Sequence, residues 1–326
     1  MQQIANVLMF ICLILVFPAQ AQTYPDRPIK VIVSIAAGSV TDIIVRMMDK
    51  ELAPKLGHPL IVENRGGASG ILAAQACKSA PPDGYTLCVV YHSTLSYNPL
   101  LFNKLPYDAD KDFALITRMF FLVEGLAVSE ASGVSSVADL KARVLARPDA
   151  FNFGTLGAGS FPELFLKWLN NNWGSNIAAV PFRGGGPVAQ ALGAGDLQIG
   201  NMGLGNFMPL VQDGRVKVIA VMAPTRSPLL PEVPTFAEAG LGGYMARGWW
   251  GLVAPAGTPK PILDKLNTEF TSLLRDPKFM NQLAQQATLA APTTPEEFAS
   301  FIQQDRKAAQ ELIRIANTPR EDYKPE

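Results

Sequence analysis

Residues 29–56 read IKVIVSIAAGSVTDIIVRMMDKELAPKL, and the order of residue types within them decides the fold. Ile29 to Ile35 is a run of β-branched side chains suited to a buried strand. Ala36-Ala37-Gly38-Ser39-Val40-Thr41-Asp42 follows as a turn of small residues. From Asp42 to Leu56 the apolar positions Ile43, Ile44, Met47, Met48 and Leu52 recur at helical spacing. Ser39 and Asp42 stand in the S-x-x-D spacing of a capping-box variant, which predicts a helix start at the turn. Strand, tight turn and helix in this order form the opening half of a βαβ unit, the building block of an α/β protein.

The alternation continues outward. Leu60 to Val62 and Thr86 to Tyr91 are predicted strands, separated by an Ala-rich helix from Ser69 to about Lys78. A longer apolar stretch, Phe113 to Val128, precedes a restart of the pattern: a helix over Val137 to Ala146, a strand near Phe151, a helix over Phe161 to Asn171, and a strand at Ile177 to Val180. Short units run on through Val216 to Met222, and a second apolar segment, Gly248 to Ala254, leads into long helices. Thr258-Pro259 and Thr294-Pro295-Glu296-Glu297 carry helix-start chemistry, a hydroxyl cap with Pro in the first turn. The last helix, Pro295 to about Asn317, presents Phe298, Ile302, Leu312 and Ile313 as one stripe, and the polar tail after Thr318 is expected to fray. Two β-α blocks with two crossings between them predict two lobes with mostly parallel sheets and helices on both faces. The expected parts are 22–124 for the first lobe, 125–247 for the second, and 248–326 for the chain's return to the first.

Before the first strand, Val7 to Phe17 is an almost unbroken apolar run, followed by Pro18 and Ala19-Gln20-Ala21. A short apolar core ending in an A-x-A site is a secretory signal, too short to span a bilayer as an anchor. Residues 1–21 are therefore expected to be a signal peptide cleaved near Ala21, leaving a soluble protein that works outside the cytoplasm with no membrane insertion. The 28 Lys and Arg residues balance 28 Asp and Glu, so no basic field points to a nucleic-acid partner. Past the signal, two cysteines remain, Cys77 and Cys88. In an oxidising compartment they could pair across the turn Pro81-Pro82-Asp83-Gly84; two buried thiols are slightly favoured, because free Cys is among the most buried residue types. With two histidines, His58 and His92, and no Cys or Asp cluster around them, no metal site is expected. No cofactor fingerprint occurs: G-x-S-x-G, G-x-x-x-x-G-K-[ST] and G-x-G-x-x-G after a strand are all missing. No catalytic residue is assigned.

Three glycine-rich strand-to-helix turns carry what chemistry there is. The first is Ala36 to Asp42. The second is Gly154-Thr155-Leu156-Gly157-Ala158-Gly159-Ser160, where Ser160 and Glu163 repeat the capping-box spacing with Pro162 in the first turn. The third is Arg183-Gly184-Gly185-Gly186-Pro187. Small residues admit a ligand to the backbone, and helix N-termini favour anions. In open α/β sheets the ligand crevice lies at the carboxyl ends of strands, so turns from two lobes facing one cleft would cradle a carboxylate. His92, at the end of a strand beside Ser93 and Thr94, is either a donor to that carboxylate or a satisfied structural histidine. Arg183 either pairs with a ligand or caps a helix. Trp249 and Trp250 sit at the return crossing, where one of them walls the cleft or both pack the hinge.

Together these residues resemble the Bug-type extracytoplasmic solute receptors of tripartite tricarboxylate transporters. The likeness runs from Tyr24-Pro25-Asp26-Arg27-Pro28-Ile29 through Leu60-Ile61-Val62-Glu63-Asn64-Arg65-Gly66-Gly67 and Ala80-Pro81-Pro82-Asp83-Gly84-Tyr85-Thr86-Leu87. It continues in Leu105-Pro106-Tyr107-Asp108, Pro231-Glu232-Val233-Pro234-Thr235 and Leu252-Val253-Ala254-Pro255-Ala256-Gly257-Thr258-Pro259. The resemblance implies a type II periplasmic-binding-protein fold, periplasmic and monomeric, that closes on a small organic acid and delivers it to membrane permease subunits. It implies ligand contacts at Gly38, Ser39, Thr41 and Asp42 in one lobe and at Thr155, Gly157, Ala158, Gly159 and Ser160 in the other. His92, Ser93 and Thr94 would select the distal end of the ligand, and Arg183, Gly184 and Asn201 complete the candidate set. The chain departs from the family pattern in its first turn, at Phe182-Arg183-Gly184, at Gly200-Asn201-Met202-Gly203, where an acidic residue is usual, and at His92, where a small hydroxyl is typical. Two other functions use the same features: a ligand sensor feeding a signalling receptor, and a secreted hydrolase built on His92 with Ser93 or Thr94.

Overall fold

The computed structural model describes residues 24–244 and 247–323; the expected export signal at 1–21 lies outside the described residues. The opening stretch folds as β1 (Ile29–Val33) and α1 (Val40–Leu56). Ile29, Val31, Ile32 and Val33 are all buried, as expected of a strand covered on both faces. The buried stripe of α1 is Ile44, Val45, Met48 and Leu52, whereas Ile43 is 40% exposed. Gly57 ends this helix in the left-handed region at φ 78°. β2 (Leu60–Asn64) and β3 (Thr86–Tyr91) pair in parallel on either side of β1, with α2 (Ile71–Lys78) between them. A π-helical turn, Ser93–Tyr97, and the single-turn α3 (Asn98–Leu101) lead to β4 (Phe113–Leu122).

The apolar stretch from Phe113 to Val128 is two strands in two sheets. The chain leaves the first sheet after Leu122 and enters the second as β5 (Glu124–Ser129). The second sheet adds α4 (Val137–Ala146), β6 (Asn152–Thr155), α5 (Phe161–Trp173), β7 (Ala178–Pro181), α6 (Gly185–Ala194), β8 (Ile199–Gly203), α7 (Met208–Gln212) and β9 (Val216–Met222). β10 (Gly248–Pro255) returns to the first sheet, followed by α8 (Lys260–Leu274), α9 (Pro277–Gln285), β11 (Thr288–Ala290) and α10 (Pro295–Ile315). The strand orders are β11-β4-β10-β3-β1-β2 and β7-β6-β8-β5-β9. Pairing is parallel within the βαβ units and antiparallel where β4, β5, β9 and β10 carry the chain between sheets. The result is two α/β lobes joined by two crossings. One apolar cluster bridges them, taking in Val90 and Trp249 from the first sheet and Leu126 and Phe161 from the second lobe.

Two expectations are corrected here. Cys77 and Cys88 form a disulfide, with their Cα atoms 6.1 Å apart. Packing α2 on β3 brings the two residues to that separation, which the spacing alone does not specify. The tail past Thr318 is docked rather than frayed. Glu321 pairs with the backbone on both sides of Phe102, Arg320 donates to the Pro99 and Phe102 carbonyls, and the Tyr323 ring meets Phe102 edge-on. At the last helix, Thr294 and Glu297 form the expected reciprocal capping box. Thr258 does not cap α8; its hydroxyl donates to the Pro255 carbonyl instead.

Candidate functional site

The S-x-x-D and S-x-x-E patterns of the first two turns do not become capping boxes, and the reason shapes the site. Ser39 and Ser160 occupy the N-cap positions of α1 and α5, yet neither caps its helix. Ser39 Oγ accepts from the Gly186 N–H of the opposite lobe at 3.2 Å, and Ser160 Oγ accepts from the Leu156 N–H at 3.2 Å. The acidic residues reach back one position further than a box requires. Asp42 accepts from the Gly38 N–H at 2.9 Å and Glu163 from the Gly159 N–H at 2.6 Å. Each turn is thereby fixed, while its helix keeps the N–H groups a capping serine would have taken. Thr41 and Asp42 in α1, and Phe161 in α5, have no carbonyl of their own helix within reach. The positive ends of two long helices, one from each lobe, are left to hold an anion.

Asp42 is held by more than this one bond. Its carboxylate also accepts from Asn64 at 2.9 Å and pairs with Arg46 at 3.0 Å. Burial raises its pKa, and the bonds to Arg46, Gly38 and Asn64 outweigh that, leaving it below the ordinary carboxylate range. The Asp42 side chain therefore stiffens the turn, leaving only its backbone N–H for a ligand.

The third turn meets the first directly. Ala36 donates to the Arg183 carbonyl at 2.9 Å, and Val40 N–H, the first of α1, donates to Asn206 Oδ1 at 2.9 Å. A Cβ on Gly184 would stand 2.6 Å from Ser39 Oγ. The second turn meets the first lobe elsewhere: Ser69 donates through its hydroxyl to the Ala158 carbonyl at 2.6 Å, and Gly159 packs on Leu101 and Phe102. The lobes are in contact at both places.

Between these contacts lies a cavity of about 40 Å³. Ser39, Val40 and Thr41 of the first turn line it, with Leu156, Phe161 and Pro162 of the second and Gly185 of the third. Tyr91, His92 and Trp250 form a largely aromatic wall, with the Tyr91 and Trp250 ring centroids 5.0 Å apart. Asn201, Asn206 and Glu124 supply polar groups. Two side chains here hold buried polar atoms without a hydrogen-bond partner among the described residues: His92 Nδ1 and both amide atoms of Asn201. The Glu124 carboxyl makes no hydrogen bond or ion pair there and acts electrostatically on the buried Tyr244 phenol. Burial alone depresses His92 to about 3, so the imidazole is neutral and offers one donor and one acceptor. Burial alone raises Glu124 to about 8.

The expected site residues divide accordingly. Ser39, Thr41, His92 and Asn201 line the cavity. Gly38 and Ser160 shape the turns beside it. Thr155, Gly157, Ala158, Gly159 and Gly184 lie on lobe-to-lobe packing surfaces or in the turn backbone, outside the cavity lining. Ser93 and Thr94 are fully buried behind His92 and also do not line it. Arg183 lines an outer concavity with Ala36, Asn64 and Arg65. Of the two tryptophans, Trp250 walls the cavity; Trp249 packs on Phe298 and Phe301 and donates to Asp305. Glu124 and Asn206 were not anticipated. For Glu124 the signal was a lone acid inside the stretch from Phe113 to Val128.

A family model described as the tripartite tricarboxylate transporter family receptor matches residues 44–318. Over 299 residues the chain is 33% identical to a UPF0065 protein of Bordetella bronchiseptica, covering 92% of this chain and 88% of that protein. Among solved structures, the periplasmic binding protein BugD matches with a TM-score of 0.87 at 28% identity, over 91% of this chain and 100% of that one. MatC from Rhodopseudomonas palustris with bound malate matches with a TM-score of 0.82 at 32% identity, over 89% of this chain and 100% of that one.

Proposed function

Because the chain belongs to the tripartite tricarboxylate transporter receptor family, we propose that it is a periplasmic solute-binding protein that captures a small carboxylate between its lobes and hands it to the permease subunits of such a transporter. The observation that carries this reading is the pair of uncapped helices, α1 and α5, opening from opposite lobes into one cavity. A carboxylate there receives N–H groups from both lobes at once, so it is bound more tightly by the closed arrangement than by an open one. That differential affinity is what a ligand needs to shift a hinge equilibrium. The lobes would be 22–124 with 248–326, and 125–247, turning about the crossings after Leu122 and before Gly248. Malate bound to MatC, a relative of the same fold, supports the carboxylate class.

No covalent step is assigned. His92 is neutral and meets aromatic rings rather than an orienting acid, and Ser93 and Thr94 lie outside the cavity lining, so these three residues do not form the nucleophile–base pair a hydrolase would need. The test is thermal unfolding of the mature chain against a panel of mono-, di- and tricarboxylates and amino acids. A ligand that binds only the folded state raises stability by RT ln(1 + [L]/Kd), about 2.7 kcal/mol at a hundredfold excess over Kd. A saturable, concentration-dependent rise with one acid supports the assignment; a flat response to every acid at millimolar concentration contradicts it.

A further inference from the structure

We propose that Glu124 reads the far end of the ligand and that the ligand is a small zwitterion, carrying an ammonium as well as its carboxylate. This rests on the cavity being the solute site. Glu124 opens β5 immediately after the chain crosses between lobes, 6% exposed and on the cavity wall. Its carboxyl has no hydrogen-bond or ion-pair partner among the described residues; burial raises its pKa, and the one charged-group interaction it makes is with the buried Tyr244 phenol, which offers no positive charge. Room is made for it across the return crossing, because a Cβ on Gly248 would overlap Glu124 Oε1. A buried carboxyl without a partner stays protonated, because ionising it there costs several kcal/mol, and a cationic partner is what lets it ionise.

The rest of the lining states what the partner is. No Lys or Arg lines the cavity. A dicarboxylate would bring a second negative charge into a dry site with no cation to balance it, and that charge would make ionising the protonated Glu124 costlier still. An ammonium reverses the sign of that interaction. Tyr91, Trp250 and Phe161 present aromatic surface to the same space, the kind of surface that attracts a desolvated cation. The ligand's carboxylate then takes the α1 and α5 amides, its ammonium takes Glu124, and the filled cavity carries no unpaired charge other than one shared with helix N-termini. The small volume favours compact ligands, and it is the absence of Lys and Arg from the lining that favours an ammonium among them.

The experiment is titration calorimetry of the mature protein and of Glu124→Gln with matched probes: L-alanine, 4-aminobutyrate and glycine betaine against propionate, butyrate, succinate and malate. The expected result is that at least one zwitterion binds the wild-type protein tenfold or more tighter than the acid of equal length lacking nitrogen, and that Glu124→Gln removes that difference. If the acids lacking nitrogen, or the dicarboxylates, bind as tightly as the zwitterions, the proposal is overturned while the receptor reading stands; the wild-type comparison alone decides this should the variant fail to fold. If neither acids nor zwitterions bind, the receptor reading falls and this proposal with it.

Discussion

At the scale of single residues, the cavity sets two titrating groups against each other, and the sign of each is fixed by burial. Glu124 holds its proton more tightly folded than unfolded, with a pKa near 8 against an ordinary 4.5. Its contribution to stability is fully present below 4.5 and is lost as pH rises through 8. His92 is the mirror case, near 3 against 6.5. Its neutral form is what fits the fold, so its contribution is present above 6.5 and lost as pH falls toward 3. The unfolding free energy, and with it the melting temperature, should therefore be highest between roughly pH 4.5 and 6.5, the free energy falling on either side with a slope on the order of 1 kcal/mol per pH unit. Glu124→Gln should flatten the alkaline limb and leave the acid one; a profile unchanged by that variant would mean Glu124 is not held protonated. His92 was legible as a candidate because it ends a predicted strand, and Asn201 because the segment around it departs from the family pattern. Glu124 was not, because a stretch of apolar residues hides the point where the chain changes sheets. The serines were misread for a related reason: S-x-x-D is a local pattern, and Gly186, whose N–H donates to the Ser39 hydroxyl oxygen, is 147 residues away.

At the scale of elements, the strands and helices were largely visible, since β-branched runs and 3.6-residue stripes report local preference and burial together. What the pattern left open was which pieces touch. Cys77 on α2 and Cys88 on β3 are both fully buried, so burial, the argument for free thiols, holds equally for the disulfide that forms. Only the packing of that helix on that strand decides between them. Closing so short a loop restricts the unfolded chain by about 2–3 kcal/mol in the loop-entropy model. Cys77→Ser with Cys88→Ser should lower the unfolding free energy by that amount while ligand affinity changes less than about twofold. Denaturant titration of the ligand-free protein, followed by calorimetry with ligand, checks both parts; equal stability with and without the bridge would count against it. The docked tail belongs at this scale too: its polar composition suggests fraying, but Arg320 and Glu321 find their partners in the backbone of α3 and its neighbours.

At the scale of the whole molecule, the two lobes meet through the first and third turns so closely that side chains are excluded. Gly184 is extended at φ 173°, a conformation open to any residue, so its requirement is for space alone. An alanine there would press on Ser39 Oγ and on Ala36, whose N and Cβ would lie 3.0 and 2.9 Å from the new methyl. Under the proposed hinge motion that collision exists only when the lobes close. Gly184→Ala should weaken ligand binding about tenfold or more, in line with the 1–3 kcal/mol typical of overpacking, and shift the melting temperature of the ligand-free protein little. Loss of ligand-free stability in step with affinity would show that the lobes are locked together without ligand.

The central claim is that uncapped amides at the starts of α1 and α5 hold the ligand's carboxylate. Backbone amide NMR during a titration with the tightest-binding acid or zwitterion tests it most directly. Thr41, Asp42 and Phe161 N–H resonances should move together, downfield, with one shared Kd. If the ligand saturates the protein while all three amides stay where they are, the carboxylate is held elsewhere and the account of this cavity is wrong.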